Sequence, residues 1–149
     1  MIVVSDGFAE RDEEGARLQK EIVEIAKQSD IRIIGPNTAG IANPSICLLP
    51  NPYELGYEKV KVGGVAICAQ TGMINPQAFP YGDLHYGVSK ICDFGNKCDV
   101  NECDLLEYLE SDPETKVIAI YLESISEGRR FLKISRRVTP KTVSYTHLR

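Results

Sequence analysis

The sequence contains no tryptophan, only two histidines, no CxxC pair and no GxGxxG run. Each absence removes a class of function. Without GxGxxG the usual dinucleotide fingerprint is not available. The five cysteines are odd in number, and the spacings of Cys92, Cys98 and Cys103 fit no common zinc or iron–sulfur pattern. His85 and His147 lie far from any second ligand pair, so no metal site is expected. Cys47, Cys68 and Cys92 sit in apolar stretches and read as reduced core residues of a cytoplasmic protein. No apolar run approaches the roughly 18 residues of a membrane span, and the N-terminus lacks the order of a signal peptide. A formal net charge of -4 argues against nucleic acid or an anionic membrane as the main partner.

What is present is the material of a globular α/β protein, with 43% hydrophobic and 26% charged residues. Ile2 to Ser5 is a β-branched run that starts almost at the first residue, which predicts a chain that begins inside a domain. From Glu10 to Gln28, Leu18, Ile22 and Ile25 recur at helical spacing. Ile31 to Ile34 reads as a second strand, closed by Gly35-Pro36-Asn37, so the three segments predict a parallel βαβ unit. Such a stump leaves apolar faces uncovered.

Residues 42 to 61 carry Pro44, Pro50, Pro52 and Gly56 without a sustained period and read as a connection between domains. Beyond it, Val65 to Cys68 and Val88 to Cys92 read as buried strands that end in glycine-bearing turns. Asn101 is placed to cap a helix bearing Leu105, Leu106 and Leu109, which Ser111-Asp112-Pro113 ends. Val117 to Leu122 reads as a central parallel strand, and Ser126 as the cap of a helix carrying Phe131, Ile134 and Val138.

In open parallel sheets ligands bind outside the carboxyl ends of strands. The turns to weigh are Asp6-Gly7, Pro36-Asn37-Thr38, Thr71-Gly72 and Gly95-Asn96, with Glu123 at a fifth strand end. Thr71-Gly72 would suit phosphate, since a helix N-terminus offers unpaired N–H groups and partial positive charge. Taken singly, each has a plainer reading as a cap, a turn or a solvated carboxylate. His85 reads as a surface residue rather than a base.

Several stretches in order resemble the NDP-forming acyl-CoA synthetases, the family that includes ADP-forming acetate–CoA ligase and the α subunit of succinate–CoA ligase. They are Ser5-Asp6-Gly7-Phe8-Ala9-Glu10, Ile33-Ile34-Gly35-Pro36-Asn37-Thr38-Ala39-Gly40, Ala69-Gln70-Thr71-Gly72 and Gly95-Asn96-Lys97-Cys98-Asp99-Val100. Asp104 to Leu109, Asp112 to Ile118 and Tyr121-Leu122-Glu123 continue the likeness.

The resemblance implies the C-terminal part of a Rossmann-type CoA-binding domain over residues 1–50 and an incomplete flavodoxin-like parallel-sheet domain over 51–140. It implies a ligase that interconverts acyl-CoA, phosphate and NDP with acid, CoA and NTP through a phosphorylated histidine. By the same likeness Val4, Ser5, Asp6 and Asn37 would bind CoA, and Thr71 and Gly72 phosphate. Glu123 would orient the phospho-histidine, itself outside this chain. NDP or NTP with Mg would be held by a partner ATP-grasp domain or β subunit, in an oligomer when intact. The acid would be small; succinate is disfavoured because Pro76 stands where the succinate enzymes carry a tyrosine.

Two departures go with it. Pro76 and Pro80 interrupt the helix expected after Thr71-Gly72, with Asn75-Pro76 a candidate start of its own. Residues 141–149 read as a foreign tail, because Val143 to Arg149 lacks the apolar strand expected there, so His147 is given no catalytic part. A non-catalytic CoA-binding regulatory module, of the kind attached to a protein acetyltransferase, is the alternative reading.

Overall fold

The computed structural model describes residues 1–50, 52, 59–140 and the backbone of 143–148. The first helix, α1 (Glu13–Gln28), starts later than the apolar period predicts. Asp12 caps it by accepting from the Gly15 N–H at 2.8 Å. Glu10, read as helical, instead turns back to the preceding loop. The flanking segments are parallel but meet in one bridge only, Ile2 to Ile34, rather than as two full strands. Only Gly15 and Ala26 of α1 are buried, and Leu18 and Ile25 are exposed, so the apolar side of the helix is largely open.

Among the described residues the sheet holds five strands: β1 (Ile41–Ala42), β2 (Val62–Ala69), β3 (Val88–Asp93), β4 (Val117–Leu122) and β5 (Val143–Leu148). Their order is β1-β3-β2-β4-β5, with β1 antiparallel at one edge and every other pair parallel. Leaving β1 aside, the second strand in the chain lies outside the first and the third lies on its other side. That is the doubly wound flavodoxin-like order, whose switch point falls between β2 and β4. The connecting stretch 42–61 contributes the second residue of β1 and a 3₁₀ turn, Pro44–Ile46, and its residues 51 and 53–58 lie outside the described residues.

Helices α2 (Glu102–Ser111) and α3 (Gly128–Val138) cover one face of the sheet. Alternation along β2 sends Ala66 and Cys68 to that side, where they meet Phe94, Leu106, Leu109, Ile118, Leu122 and Ile134. Ile67 and Ala69 point to the opposite face, which is closed by Ile74 and Tyr81 from two 3₁₀ turns instead of by a helix. The Tyr81 hydroxyl donates to Ile74 O at 2.8 Å and ties those turns together. Burying this much apolar surface is what holds the layers in place.

The predicted cap of α2 forms as expected. Asn101 Oδ1 accepts from the Cys103 N–H at 2.9 Å and the Asp104 N–H at 3.3 Å, and Asp104 returns the contact to the Asn101 N–H. Ser126 does not cap α3. Its N–H donates to Glu102 Oε1 at 2.7 Å, and Glu127 takes the cap position with its carboxylate turned to Asn101 and Arg130 instead of to the helix N–H groups. Two further expectations are overturned. Cys47 is exposed, since it sits in a left-handed turn rather than in a strand. Residues 143–148 form β5 along β4, against the reading that this stretch fits no strand. Edge pairing is driven by backbone hydrogen bonds and by β-branched and aromatic residues, so a continuous apolar run is not required. Among the described residues no helix is long and apolar enough to cross a membrane.

Candidate functional site

The carboxyl ends of β2, β3 and β4 open onto one cleft of about 680 Å³, closed on the far side by the loops after Ile2 and Ile34. Val4, Ser5, Asp6, Asn37, Thr71, Gly72 and Glu123 all line it. Residues up to 119 positions apart in sequence are therefore neighbours, at the switch point that the strand order defines.

The N-terminal wall is built around Glu10. Its Oε1 accepts from the N–H groups of Gly7 at 2.6 Å and Phe8 at 3.0 Å, and its Oε2 accepts from Asn96 Nδ2. Burial acts to raise this carboxyl, but the bonds from Asn96 and from the loop N–H groups prevail and hold it below the usual glutamate range. Asn37 lies in the left-handed region, with φ of 59°, and its N–H donates to Ser5 O at 2.9 Å. An asparagine tolerates that conformation better than most residues.

The floor is Asp93, at the end of β3 and 1% exposed. Its Oδ2 accepts from the Ala39 N–H at 2.7 Å, its Oδ1 from the Gly95 N–H at 3.0 Å, and its carbonyl from Thr38 Oγ1 at 2.5 Å. Burial pushes the Asp93 carboxyl up, and the two N–H donors offset that only in part. Asp93 thus staples the segment after Ile34 onto the sheet.

Thr71 and Gly72 do not start an α-helix. They open a three-residue 3₁₀ turn, Gly72–Ile74, in which Thr71 Oγ1 accepts from the Met73 N–H at 3.3 Å. Asn75 begins a second turn, accepting from the Gln77 and Ala78 N–H groups at 2.9 Å each, and Pro80 follows before any helix develops. The helix-dipole argument for phosphate therefore fails here, because the dipole needs several aligned peptides. What is left is local: Thr71 takes the Met73 N–H, which leaves the Gly72 N–H and the Thr71 hydroxyl proton as donors, and the space beside Gly72 Cα is open.

Glu123 follows β4 directly and is exposed at the cleft mouth. Among the described residues nothing bonds its carboxylate. The described lining residues include four acids, Asp6, Glu10, Asp93 and Glu123, and no lysine, arginine or histidine. Among these lining residues the polar donors are the uncharged side chains of Ser5, Asn37, Thr38, Gln70, Thr71 and Asn96, together with backbone amides. Such a lining accepts cationic or hydrogen-bond-donating groups readily, and an anion only with help.

Sequence reasoning missed Glu10 and Asp93 as site residues. Asp93 ends a buried strand, and a carboxylate in that position was the available signal. It also missed Gln70 and the buried pair formed by Lys97 and Glu102, at 3.0 Å. His85 is exposed, outside this lining.

Residues 62–143, more than half of the chain, match the family model described as the succinyl-CoA ligase like flavodoxin domain. The chain is 38% identical over 143 residues to the α subunit of ADP-forming acetate–CoA ligase II of Pyrococcus furiosus, covering 95% of this chain and 30% of that protein. It superposes on a crystal structure from Pyrococcus horikoshii OT3 with a TM-score of 0.89 and 35% identity, over 99% of this chain and 33% of that one. A dinucleotide forming acetyl-coenzyme A synthetase 1 from Candidatus Korarchaeum cryptofilum, solved with phosphate and ADP, gives a TM-score of 0.88 at 31% identity, over 99% of this chain and 31% of that one. The chain spans about a third of the length of these relatives. With the sheet order, the switch-point cleft and these matches in agreement, the chain belongs to the succinyl-CoA ligase like flavodoxin domain family, among the NDP-forming acyl-CoA synthetases.

Proposed function

We propose that the chain supplies part of the CoA- and phosphate-handling core of an NDP-forming acyl-CoA synthetase. The overall reaction interconverts acyl-CoA, phosphate and NDP with a small carboxylic acid, CoA and NTP, in the cytoplasm. The observation that carries this reading is the convergence of Val4, Ser5, Asp6, Asn37, Thr71, Gly72 and Glu123 on one switch-point cleft. Val4, Ser5, Asp6 and Asn37 are assigned to CoA, on the wall that Glu10 braces. Thr71 and Gly72 are assigned to phosphate, through the Thr71 hydroxyl and the Gly72 N–H.

Glu123 is assigned to the phospho-histidine. A carboxylate with no other partner accepts from the ring N–H, which fixes the tautomer and leaves the opposite nitrogen for phosphoryl transfer. That histidine comes from outside the described residues. The acidic lining means that this wall does not hold a phosphate dianion by charge. The balancing cation comes from the partner ATP-grasp domain or β subunit, which also carries NDP or NTP with Mg, or from the imidazolium itself. The ligase names of the relatives, and the phosphate and ADP in one of them, support this reading over a CoA-binding regulatory module. So does a carboxylate at the cleft mouth that nothing among the described residues bonds, for which a sensor has no use.

The test is phospho-histidine formation in the full-length protein. Glu123→Gln is expected to slow it by about 10–100-fold, with CoA affinity unchanged. An unaltered rate would remove Glu123 from the reaction.

A further inference from the structure

The peptide that carries Glu123 is held from two sides. Gln70, the first residue after β2, turns its amide oxygen toward the exit of β4. There Oε1 accepts from the N–H of Glu123 and from the N–H of Ser124, each at 3.2 Å. Its own N–H donates to Tyr121 O at 2.9 Å, so side chain and main chain grip the same four-residue stretch, 121–124.

On the other side, Lys97 Nζ donates to Ser124 O at 2.7 Å and pairs with Glu102 Oε2 at 3.0 Å. Glu102 Oε1 then accepts from the Ser126 N–H at 2.7 Å. The side chains of Lys97 and Glu102 are 3% and 0% exposed. A buried ion pair is a poor way to gain stability, because desolvating both charges offsets most of their attraction. What it does supply is direction: Lys97 is aimed at Ser124 O and Glu102 Oε1 at the Ser126 N–H, two defined backbone atoms of the loop after Glu123.

We propose that Gln70 and the Lys97–Glu102 pair are positioning residues that fix the β4 exit and thereby hold the Glu123 carboxylate over the cleft. The inference rests on the role given to Glu123 above. Gln70 also lines the cleft, so action through Glu123 has to be separated from direct contact with a ligand.

A double-mutant cycle on phospho-histidine formation in the full-length protein makes that separation. Gln70→Leu is expected to slow the step about tenfold with the KM for CoA unchanged. Gln70→Glu, which keeps an oxygen acceptor for both N–H groups, recovers most of the rate. On a Glu123→Ala background Gln70→Leu causes no further loss. Equal losses on both backgrounds, or no loss from Gln70→Leu, would overturn the proposal.

If Glu123→Ala itself has no effect, the Glu123 reading fails. The clamp is then judged by amide hydrogen exchange, which Gln70→Leu must accelerate at Glu123 and Ser124. Lys97→Met leaves Glu102 buried without its cation and endangers folding. Gln70→Leu, at a half-buried position, keeps the proposal open to refutation.

Discussion

Gly95 packs against the carbonyl of Pro36 so closely that a Cβ at position 95 would fall 2.1 Å from that oxygen. Its φ of 55° is left-handed as well. The neighbouring N–H groups use the approach: Asn96 N donates to Pro36 O at 2.8 Å and Cys98 N to Gly35 O at 3.1 Å. This contact joins the N-terminal wall of the cleft to the sheet. Gly95→Ala is therefore expected to cost at least about 1–3 kcal/mol, read from the midpoint of urea unfolding, and to weaken CoA binding. Wild-type stability in that variant would show that the wall is attached by other means.

The Lys97–Glu102 pair makes a second prediction, about stability rather than turnover. Removing one partner strands a buried charge, so Lys97→Met is expected to destabilise by about 3–5 kcal/mol. Lys97→Met combined with Glu102→Leu should recover a large part of that loss, because no lone charge is left. A double variant as unstable as the single one would contradict the account.

Asp104 gives the acid dependence. Burial acts to raise its carboxyl, but the bonds from Arg130 and the Asn101 N–H, with the charges of Arg130 and Arg32, hold it below the ordinary aspartate range. A folded value below the unfolded one means that the unfolded chain binds the proton more readily. Its stabilisation is then fully present above the unfolded value, near pH 4, and is lost as pH falls through the folded value. The stability gap between wild type and Asp104→Asn should thus shrink steadily in acid below about pH 4 and be flat above about pH 5. A gap independent of pH throughout the acid range would exclude Asp104 as its source.

Glu10 braces the N-terminal wall, proposed above to take CoA, through Gly7, Phe8 and Asn96. Glu10→Ala frees all three, and CoA affinity in the full-length protein is expected to fall roughly tenfold while thermal unfolding shifts little. Calorimetry with CoA checks this. Unchanged affinity would take Glu10 out of the binding wall.

Local signals in the sequence were legible, and convergent ones were not. Asn101 followed by Asp104 predicts a helix start because cap and capping-box partners lie three residues apart, and that cap forms. The parallel strands β2 and β4 are legible from continuous apolar runs, whereas β3 is legible from Val88, Ile91 and Cys92 around the polar Ser89 and Lys90. Glu10 shows the opposite case: its place in an apolar period predicted helix, yet its carboxylate serves three donors, one of them 86 residues away. Ser126 had the composition of a cap, but the buried Glu102 claims its N–H. Thr71-Gly72 carried a phosphate-site pattern whose helix is stopped by Pro76 and Pro80. Strand β5 was missed because backbone pairing to an open edge leaves little trace in hydrophobicity. Asp93 and Gln70 carry no spacing signal, since their partners come from other strands.

The central claim, that the switch-point cleft takes CoA and phosphate, is tested most directly by titrating each into the isotope-labelled full-length protein and following backbone amide shifts. The account predicts that CoA perturbs Val4 to Asp6 and Asn37, and that phosphate perturbs Thr71 and Gly72. The basic face of α3, with Arg129, Lys133 and Arg136, is where an anion would go on charge alone. Perturbation confined to that face, with the cleft amides unmoved, would contradict the account.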